Sequence, residues 1–295
     1  MKLWFVRLLI GCSKAESGEG AMHQILCSSG SLMGKQSAKR LDFLRQCREK
    51  LQYDGIEMLF RDDWYELKRE LVQIVAAEQW NVPAFHCDKH LIQNIFKEPS
   101  SCPVKMLDLF RINCEIAAEI NAKLLILHLW NGRESDFFFE RQVALLPHLI
   151  SISQEAGVLL TIENVICSKL DPISRMIEIE KMFPEVCFTF DTKMAAFHGQ
   201  MEETYQEGFR HFWKKNVKHV HLCDYKGGIK DWEHLFPLPI GKGTIDFDHF
   251  FELLAEVNYD GDFTVESVAH NGDGTVDFYE LNRMYGYIRE KISQV

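Results

Sequence analysis

The sequence lacks an excess of basic residues. It contains 33 lysines and arginines against 43 aspartates and glutamates, which gives a formal net charge of −10 at pH 7. Proteins that bind nucleic acid usually meet its phosphate backbone with clustered lysine and arginine side chains. We therefore expect no nucleic-acid partner, and a small-molecule ligand agrees better with this charge.

Paired cysteine motifs are also missing. The nine cysteines are an odd number, and no two of them form a Cys-x-x-Cys pair. Cys27, Cys114, Cys187 and Cys223 lie inside apolar segments, where a thiol packs as a small hydrophobic group. This usage is typical of a reducing compartment, and we predict a cytoplasmic protein.

The sequence has no apolar run long enough to span a membrane, so we expect no membrane partner. Residues 1–12 combine a basic start with a Leu-Ile-Gly-Cys run that resembles a bacterial lipoprotein cleavage site. Arg7 interrupts the apolar stretch, which in a signal peptide should hold about 7–15 residues. We therefore predict that residues 1–21 are a poorly ordered N-terminal extension and that residues 22–295 form a single domain. A cleaved signal is the alternative.

From Gln24 onward, strand-like and helix-like segments alternate. The helix-like segments carry apolar residues on one face, as do Phe110, Cys114 and Ala117, and the strand-like segments are apolar nearly throughout, as buried parallel strands are. Eight such units without a linker predict an α/β fold, a (β/α)8 TIM barrel. The alternative, a doubly wound open sheet, usually has a Gly-x-Gly-x-x-Gly turn, which is absent here. Strand ends are predicted near Cys27, Glu57, His86, His128, Glu163, Asp191, His221 and Glu266.

Four of these strands in succession end on a side chain that can bind a metal ion: Glu163, Asp191, His221 and Glu266. The carboxyl ends of barrel strands are where such folds hold their active sites. A charged group in an apolar run is costly to bury unless it is paired or bound to a cation, so the four together indicate a metal site. The alternative is structural: the glutamates pair with a neighbouring Arg or Lys, and the other two residues bond the backbone at strand ends.

Five short motifs follow one another in strand order: Ile162-Glu163-Asn164, Phe190-Asp191-Thr192, Val220-His221-Leu-Cys-Asp224, Ile240-Gly-Lys-Gly-Thr-Ile-Asp246 and Val265-Glu266. Together they resemble the xylose isomerase-like TIM barrels, which include sugar isomerases and epimerases and metal-dependent apurinic endonucleases. The resemblance covers about residues 24–292. It implies that Glu163, Asp191, His221 and Glu266 coordinate one divalent cation. His219 matches no ligand of the family, and we expect it to pack deeper in the barrel than His221.

The chain departs from this family at two places. Three residues after the strand-six aspartate, the family often has a histidine that contacts substrate in the epimerases and metal in the endonucleases. This chain has Met194 there, and the nearest histidine is His198. The endonucleases also carry Asp-x-His before the Gly-Lys-Gly loop, where this chain has Leu-Phe-Pro-Leu-Pro at 235–239. Together with the acidic net charge, this argues against an apurinic endonuclease.

Six further side chains are candidates for contact with the substrate. The resemblance implies polar contacts at the ends of strands three and four in the sugar enzymes. An aromatic ring can lie against the C–H face of a sugar, and an ammonium group can meet a hydroxyl or phosphate. A lysine beside the strand-six aspartate is also a candidate for the role of the missing histidine. The alternative is a structural role for the two histidines, and packing or solvation for Glu57, Trp130 and Lys226. The candidates are His86, His128, Glu57, Trp130, Lys193 and Lys226.

The predicted cofactor is one divalent metal ion. Three carboxylates and one imidazole suit Mn²⁺, which we expect, or Mg²⁺ or Co²⁺, better than Zn²⁺. A ketose could chelate such an ion, which would stabilise the enediolate formed when the neighbouring C–H proton leaves. We therefore predict an isomerase or epimerase of a sugar, sugar phosphate or inositol derivative, with Glu163 and Glu266 as base and acid. The alternatives are a lyase or dehydratase of the same family and a non-catalytic sugar-binding barrel. The expected partner is a small sugar or polyol, and a homo-oligomer is left open.

Overall fold

The computed structural model describes residues 23–33, 44–45, 49–93 and 103–293. Eight parallel strands close into a barrel in which each strand pairs with the next along the chain, and the eighth pairs with the first. The predicted (β/α)8 fold is confirmed. The predicted extension, residues 1–21, lies outside the described residues. The strands are β1 (Ile25–Ser28), β2 (Gly55–Leu59), β3 (Ala84–His86), β4 (Leu124–Leu127), β5 (Leu159–Glu163), β6 (Cys187–Asp191), β7 (Val217–Leu222) and β8 (Asp262–Val265).

Helices connect the strands and surround the barrel. The longer helices bury an apolar face, as the last one does with Leu281, Met284, Tyr285 and Ile288. The described helices are α1 (Ser29–Leu32), α2 (Lys68–Ala77), α3 (Pro103–Glu119), α4 (Phe139–Val143), α5 (Leu146–Glu155), α6 (Pro172–Met182), α7 (Thr192–Phe197), α8 (Met201–Thr204), α9 (Glu207–Lys215), α10 (Phe247–Glu256) and α11 (Phe278–Ile292), with 3-10 turns at Asp62–Leu67, Ser135–Phe138 and Trp232–His234. Within the described part of the chain, no helix is both long and apolar enough to cross a membrane.

Most predicted strand ends lie within one residue of the observed ones, but the end of β2 does not. β2 continues two residues past Glu57 because Met58 and Leu59 pair with Phe85 and His86 of β3. Glu57 therefore lies inside the barrel rather than at its rim.

The interior of the barrel changes character along its axis. Leu26, Ala84 and Ile126 form a small apolar cluster separate from the main core, which lies between the strands and the helices. Thr161 and Thr189, from β5 and β6, are fully buried and share a hydrogen bond of 2.8 Å between their hydroxyl oxygens. Further along the strands, the interior side chains are carboxylates and imidazoles, which form the candidate site.

Candidate metal centre

The four predicted ligands converge at the carboxyl ends of the strands. Glu163 and Asp191 are the last residues of β5 and β6, His221 is the penultimate residue of β7, and Glu266 follows β8 directly. Each offers one nitrogen or oxygen atom, and these four atoms all lie within 4.8 Å of one another. The first three residues are at most 1% exposed, and the side chain of Glu266 is 9% exposed. The set thus occupies one buried point at the barrel rim.

The spacing of these atoms fits a cation between them. Nδ1 of His221 lies 3.6 Å from Oε2 of Glu163 and 3.7 Å from Oε1 of Glu266, distances too long for hydrogen bonds. His221 Nδ1 and Glu163 Oε1 are buried without a hydrogen-bond partner among the described residues, which costs about 1–3 kcal/mol for each such group. Ligand atoms that share one ion at about 2.0–2.6 Å are spaced in this way. The residues present therefore fit a divalent cation.

The carboxylates around His221 all favour positive charge on its ring. Burial opposes protonation of its ring, but Glu57, Glu266 and Glu163 raise the pKa of His221 well above its usual value. In the absence of a cation, the carboxylates thus favour a proton on His221. Since a histidine ligand must be neutral, binding of a metal ion would release this proton.

Asp191 is held in place by the helix that it caps and by Lys193. Its Oδ1 accepts the backbone N–H of Met194 at 2.9 Å and so caps α7, while Lys193 Nζ lies 3.4 Å from Oδ2. Burial raises the pKa of Asp191, against the charge of Lys193. Burial alone would lower the pKa of Lys193, but Asp191 raises it above its usual value. The predicted position of Lys193 beside the ligand set is therefore observed.

Two imidazoles surround Glu163 on its other side. His128 Nε2 lies 2.9 Å and His86 Nε2 lies 3.2 Å from Glu163 Oε2, and the two rings meet edge to face. Burial lowers the pKa of His128 to about 4, so at neutral pH its uncharged ring donates one N–H to Glu163. The nitrogens of His86 and His128 and one oxygen of Glu163 form a second group of three atoms within 4.8 Å of one another.

Glu57 lies below His221 in the barrel interior. Its Oε2 is 3.0 Å from His221 Nε2 and 3.2 Å from His219 Nε2, and all three residues are at most 1% exposed. His219 Nε2 also lies 2.7 Å from Thr264 Oγ1. The expectation that His219 packs deeper than His221 agrees with this arrangement.

Comparison with known proteins gives the family. The model of the xylose isomerase-like TIM barrels matches residues 45–285. This chain belongs to the xylose isomerase-like TIM barrel family. The family predicted from the five motifs is therefore confirmed.

Proteins similar to this chain in sequence and in structure include sugar epimerases. An L-ribulose-5-phosphate 3-epimerase of Salmonella typhi is 22% identical over 231 residues, which cover 73% of this chain and 78% of the relative. A solved L-ribulose 3-epimerase has a TM-score of 0.67 at 16% identity and covers 92% of this chain and 95% of its own. The IolI protein, solved with a zinc atom, has a TM-score of 0.70 at 16% identity, covering 92% and 98%. The relatives whose names include a sugar are thus epimerases, which is the enzyme class predicted for this chain.

Met194, which stands where the family often has a histidine, and His198, the nearest histidine, lie one turn apart at α7, where the backbone N–H of His198 donates to the carbonyl of Met194 at 3.3 Å. Met194 is in the first turn of α7, where it is partly buried. His198 Nε2 accepts the backbone N–H of Cys167 at 3.2 Å. Burial, and to a smaller extent the charge of Lys230, lowers the pKa of His198 to about 4. His198 therefore binds the backbone of the loop after β5 and does not take the place of the missing histidine.

Three residues predicted to contact the substrate, Trp130, Lys226 and Glu57, have different surroundings in the structure. Trp130 is fully buried, donates its indole N–H to the carbonyl of Val165 at 2.9 Å and packs against Phe139, which is a core role. Lys226 is exposed to solvent, since the preceding Tyr225 takes the buried side of the loop. Glu57 contacts histidines in the interior. The burial of Trp130 and the exposure of Lys226 agree with the packing and solvation alternatives, and Glu57 contacts His221 of the ligand set from below.

Lys89 is a charged residue of the site that the sequence reasoning missed. It follows β3 by three residues, and its Nζ lies 3.9 Å from Oε1 of Glu266, with 34% of its side chain exposed. Burial alone would raise the pKa of Glu266, but Lys89 and His221 hold it below its usual value. Its position just past a strand end was the only sequence signal, and an isolated lysine in a loop is too common to select.

The loop after β7 is held by Asp224. This fully buried carboxylate accepts the backbone N–H groups of Gly241, Gly243 and Ile245 at 2.9, 2.8 and 3.2 Å. A Cβ at Gly243 would collide with the carboxylate, so glycine is required there. The long segment between β7 and α10 is thereby fixed at the rim of the barrel.

Proposed function

We propose that this chain is a divalent-metal-dependent sugar epimerase or isomerase that acts by proton transfer. One observation carries the proposal: four ligand atoms of Glu163, Asp191, His221 and Glu266 lie within 4.8 Å of one another, and two buried atoms of this group have no hydrogen-bond partner among the described residues. The similarity to an L-ribulose-5-phosphate 3-epimerase supports a ketose or ketose phosphate as substrate.

The same four residues would hold the cation. When bound there, a divalent ion polarises a substrate carbonyl and stabilises negative charge on the adjacent oxygen atoms. Three carboxylates and one neutral imidazole favour Mn²⁺, with Mg²⁺, Co²⁺ and Zn²⁺ as alternatives. The buried surroundings strengthen each of these electrostatic interactions, because little water is present to screen them.

Glu163 and Glu266 are the proposed acid and base. They come from β5 and β8, which are not neighbours in the barrel, so their carboxylates approach the site from different strands. Glu163 Oε2 accepts from the two imidazoles, while Oε1 has no hydrogen-bond partner among the described residues and could therefore take up a proton. Removal of the C–H proton next to the carbonyl by one glutamate, as carboxylate, and delivery of a different proton to the opposite face by the other, as carboxylic acid, would invert that carbon.

Lys89 and Lys193 add positive charge beside the ligand set. Their ammonium groups lie beside Glu266 and Asp191, two of the proposed ligands. Once a cation neutralises these carboxylates, the lysines are placed to donate hydrogen bonds to substrate oxygens. Lys193, which is 6% exposed, would supply a positively charged contact to the substrate. It lies near the position at which the family often has a histidine and this chain has Met194.

A substrate panel tests the proposal. Metal-free protein would be prepared by dialysis against a chelator, reconstituted with Mn²⁺, and assayed on ketoses, ketose phosphates and inosose-type compounds. We expect epimer or isomer formation only in the reconstituted sample. Loss of water or another fragment from the substrate would instead assign a lyase or dehydratase. Binding of a sugar without any conversion would assign a non-catalytic barrel.

A further inference from the structure

Glu57 contacts one of the proposed metal ligands from the side opposite to the cation site. Its Oε2 lies 3.0 Å from Nε2 of His221, and neither residue is accessible to solvent. The other ring nitrogen, Nδ1, faces Glu163 and Glu266 at 3.6 and 3.7 Å. The imidazole thus lies between a carboxylate below it and the ligand set above it.

This contact determines which nitrogen can bind a cation. A neutral imidazole carries one N–H and one lone pair. A hydrogen bond from Nε2–H to Glu57 leaves the lone pair on Nδ1, the atom that points to the ligand set and has no hydrogen-bond partner in the described ranges. With the opposite tautomer, Nδ1 would present a hydrogen to the site and could not coordinate.

Glu57 is itself held in place from β7 and β8. His219 Nε2 lies 3.2 Å from Glu57 Oε2 and 2.7 Å from Thr264 Oγ1, and all of these groups are buried. Glu57 Oε1 has no hydrogen-bond partner among the residues that the structure describes. The carboxylate is therefore oriented through one oxygen, which two imidazoles share.

We propose that Glu57 is a positioning residue that fixes the tautomer and ring orientation of His221 for metal binding. The inference rests on the proposed function only in requiring a cation at the four-residue site. Carboxylates that accept the second N–H of a ligating histidine raise the basicity of the ligand and hold its ring, and their loss typically costs 10–100-fold in metal affinity or activity. Glu57 therefore acts on the site without contacting substrate.

The experiment measures metal affinity directly. Metal-free wild type, Glu57→Gln and Glu57→Asp would be titrated with Mn²⁺, with free Mn²⁺ followed by its electron paramagnetic resonance signal. Glu57→Gln keeps the size of the side chain and removes its charge, whereas Glu57→Asp keeps the charge and withdraws it by one methylene group. We expect the dissociation constant to rise by about 10–100-fold in each. The visible spectrum of the Co²⁺-loaded protein should also change, since it reports the geometry of the ligands and not the stability of the fold.

Thr161→Val is the matched control. It removes another fully buried polar group from the barrel interior, one that bonds Thr189 and the carbonyl of Leu125. Its affinity for Mn²⁺ should stay within about twofold of wild type, which is the spread expected for a residue outside the network. Should Glu57→Gln not fold, as judged by circular dichroism, Glu57→Asp decides by the same criterion.

Two results would overturn the inference. One is wild-type affinity and an unchanged Co²⁺ spectrum in the folded Glu57 variants. The other is an equal loss of affinity in Thr161→Val, which would make the effect a general consequence of altering the interior. A wild-type protein that binds no metal ion at all would be a different failure, because it would remove the proposed metal centre itself.

Discussion

Lys193 Nζ lies 3.4 Å from Oδ2 of Asp191, and both side chains are buried. Loss of one partner of such a pair leaves an uncompensated charge and costs about 3–5 kcal/mol. A divalent cation bound to Asp191 would provide part of the missing compensation. The loss of stability caused by removing Lys193 should therefore depend on whether a cation is bound to Asp191.

Lys193→Met should lower the melting temperature more without metal than with it. We expect a drop of about 5 °C or more in metal-free protein and about half of that or less with saturating Mn²⁺, using roughly 2–4 °C per kcal/mol for a chain of this size. Differential scanning calorimetry of variant and wild type in both conditions gives the two differences. The exposed Lys226→Met is the control and should match wild type in both. Equal drops for Lys193→Met in the two conditions would contradict the prediction.

Metal analysis should find one divalent ion per chain. Asp191→Asn and Glu266→Gln remove ligands from the four-residue site, so we expect both to lower the bound metal after gel filtration. His86→Gln changes a residue that belongs to the second group of three atoms and not to the four-residue set, so it should leave the value at one. Plasma mass spectrometry gives the ratio. A ratio of two that falls to one in His86→Gln would assign a second ion to His86, His128 and Glu163.

Turnover in D₂O should place deuterium on the reacting carbon. A proton that passes through Glu163 and Glu266 can exchange with solvent, whereas a hydride shift keeps the original hydrogen on the substrate. Glu163→Gln and Glu266→Gln should each reduce kcat by about 10²–10⁴, the usual contribution of a positioned acid or base. Glu252→Gln, on the exposed face of α10, is the control. Product without deuterium, found by mass spectrometry, would favour the hydride shift.

His198 should make the protein less stable as the pH falls. Burial holds its folded-state pKa at about 4, below the unfolded value of about 6.5. Between these values the unfolded chain takes up a proton that the folded one does not, so the free energy of unfolding falls by about 1.4 kcal/mol per pH unit from this residue. Below about pH 4 both states are protonated, and the contribution becomes constant.

Urea denaturation at pH 6.5, 5.5 and 4.5 checks this dependence. His198→Gln removes the titrating group, so the free energy of unfolding of wild type relative to this variant should decline over that range. His148→Gln changes an exposed histidine on α5 and should follow wild type at each pH. A difference between wild type and His198→Gln that does not vary with pH would show that the buried ring does not titrate as described.

The sequence predicted the barrel and the grouping of the four candidate ligands for a simple physical reason. Each ligand ends or directly follows a strand whose other residues are apolar, and parallel strands of a barrel bring their carboxyl ends to one rim. The five motifs made the assignment specific. The position of Lys193 followed from its place next to Asp191, since two residues beyond a strand end remain near the rim.

Other features of the site depend on packing that the sequence does not display. Glu57 was placed at the end of β2, but pairing of Met58 and Leu59 with β3 extends the strand and puts the carboxylate under His221. Trp130 looks like a pocket wall until its hydrogen bond to Val165 is seen. The contact of Lys89 with Glu266 joins loops after β3 and β8, which are far apart in the chain and near each other only in the closed barrel.

Asp224 anchors the loop after β7 through backbone N–H groups, which every residue except proline provides. The anchor itself uses no side chain between residues 226 and 239, while Asp224 and Gly243 cannot change without releasing the loop. Gly227, where a Cβ would collide with Tyr225, and Trp232 and Leu235, which pack in an apolar cluster with Phe197, are constrained for other reasons. Substitutions at the exposed positions of that interval, such as Lys226 and Ile229, can accumulate at little cost to the barrel. The rim thus offers a segment in which new substrate preferences can evolve, or be selected in the laboratory, with the metal ligands left untouched.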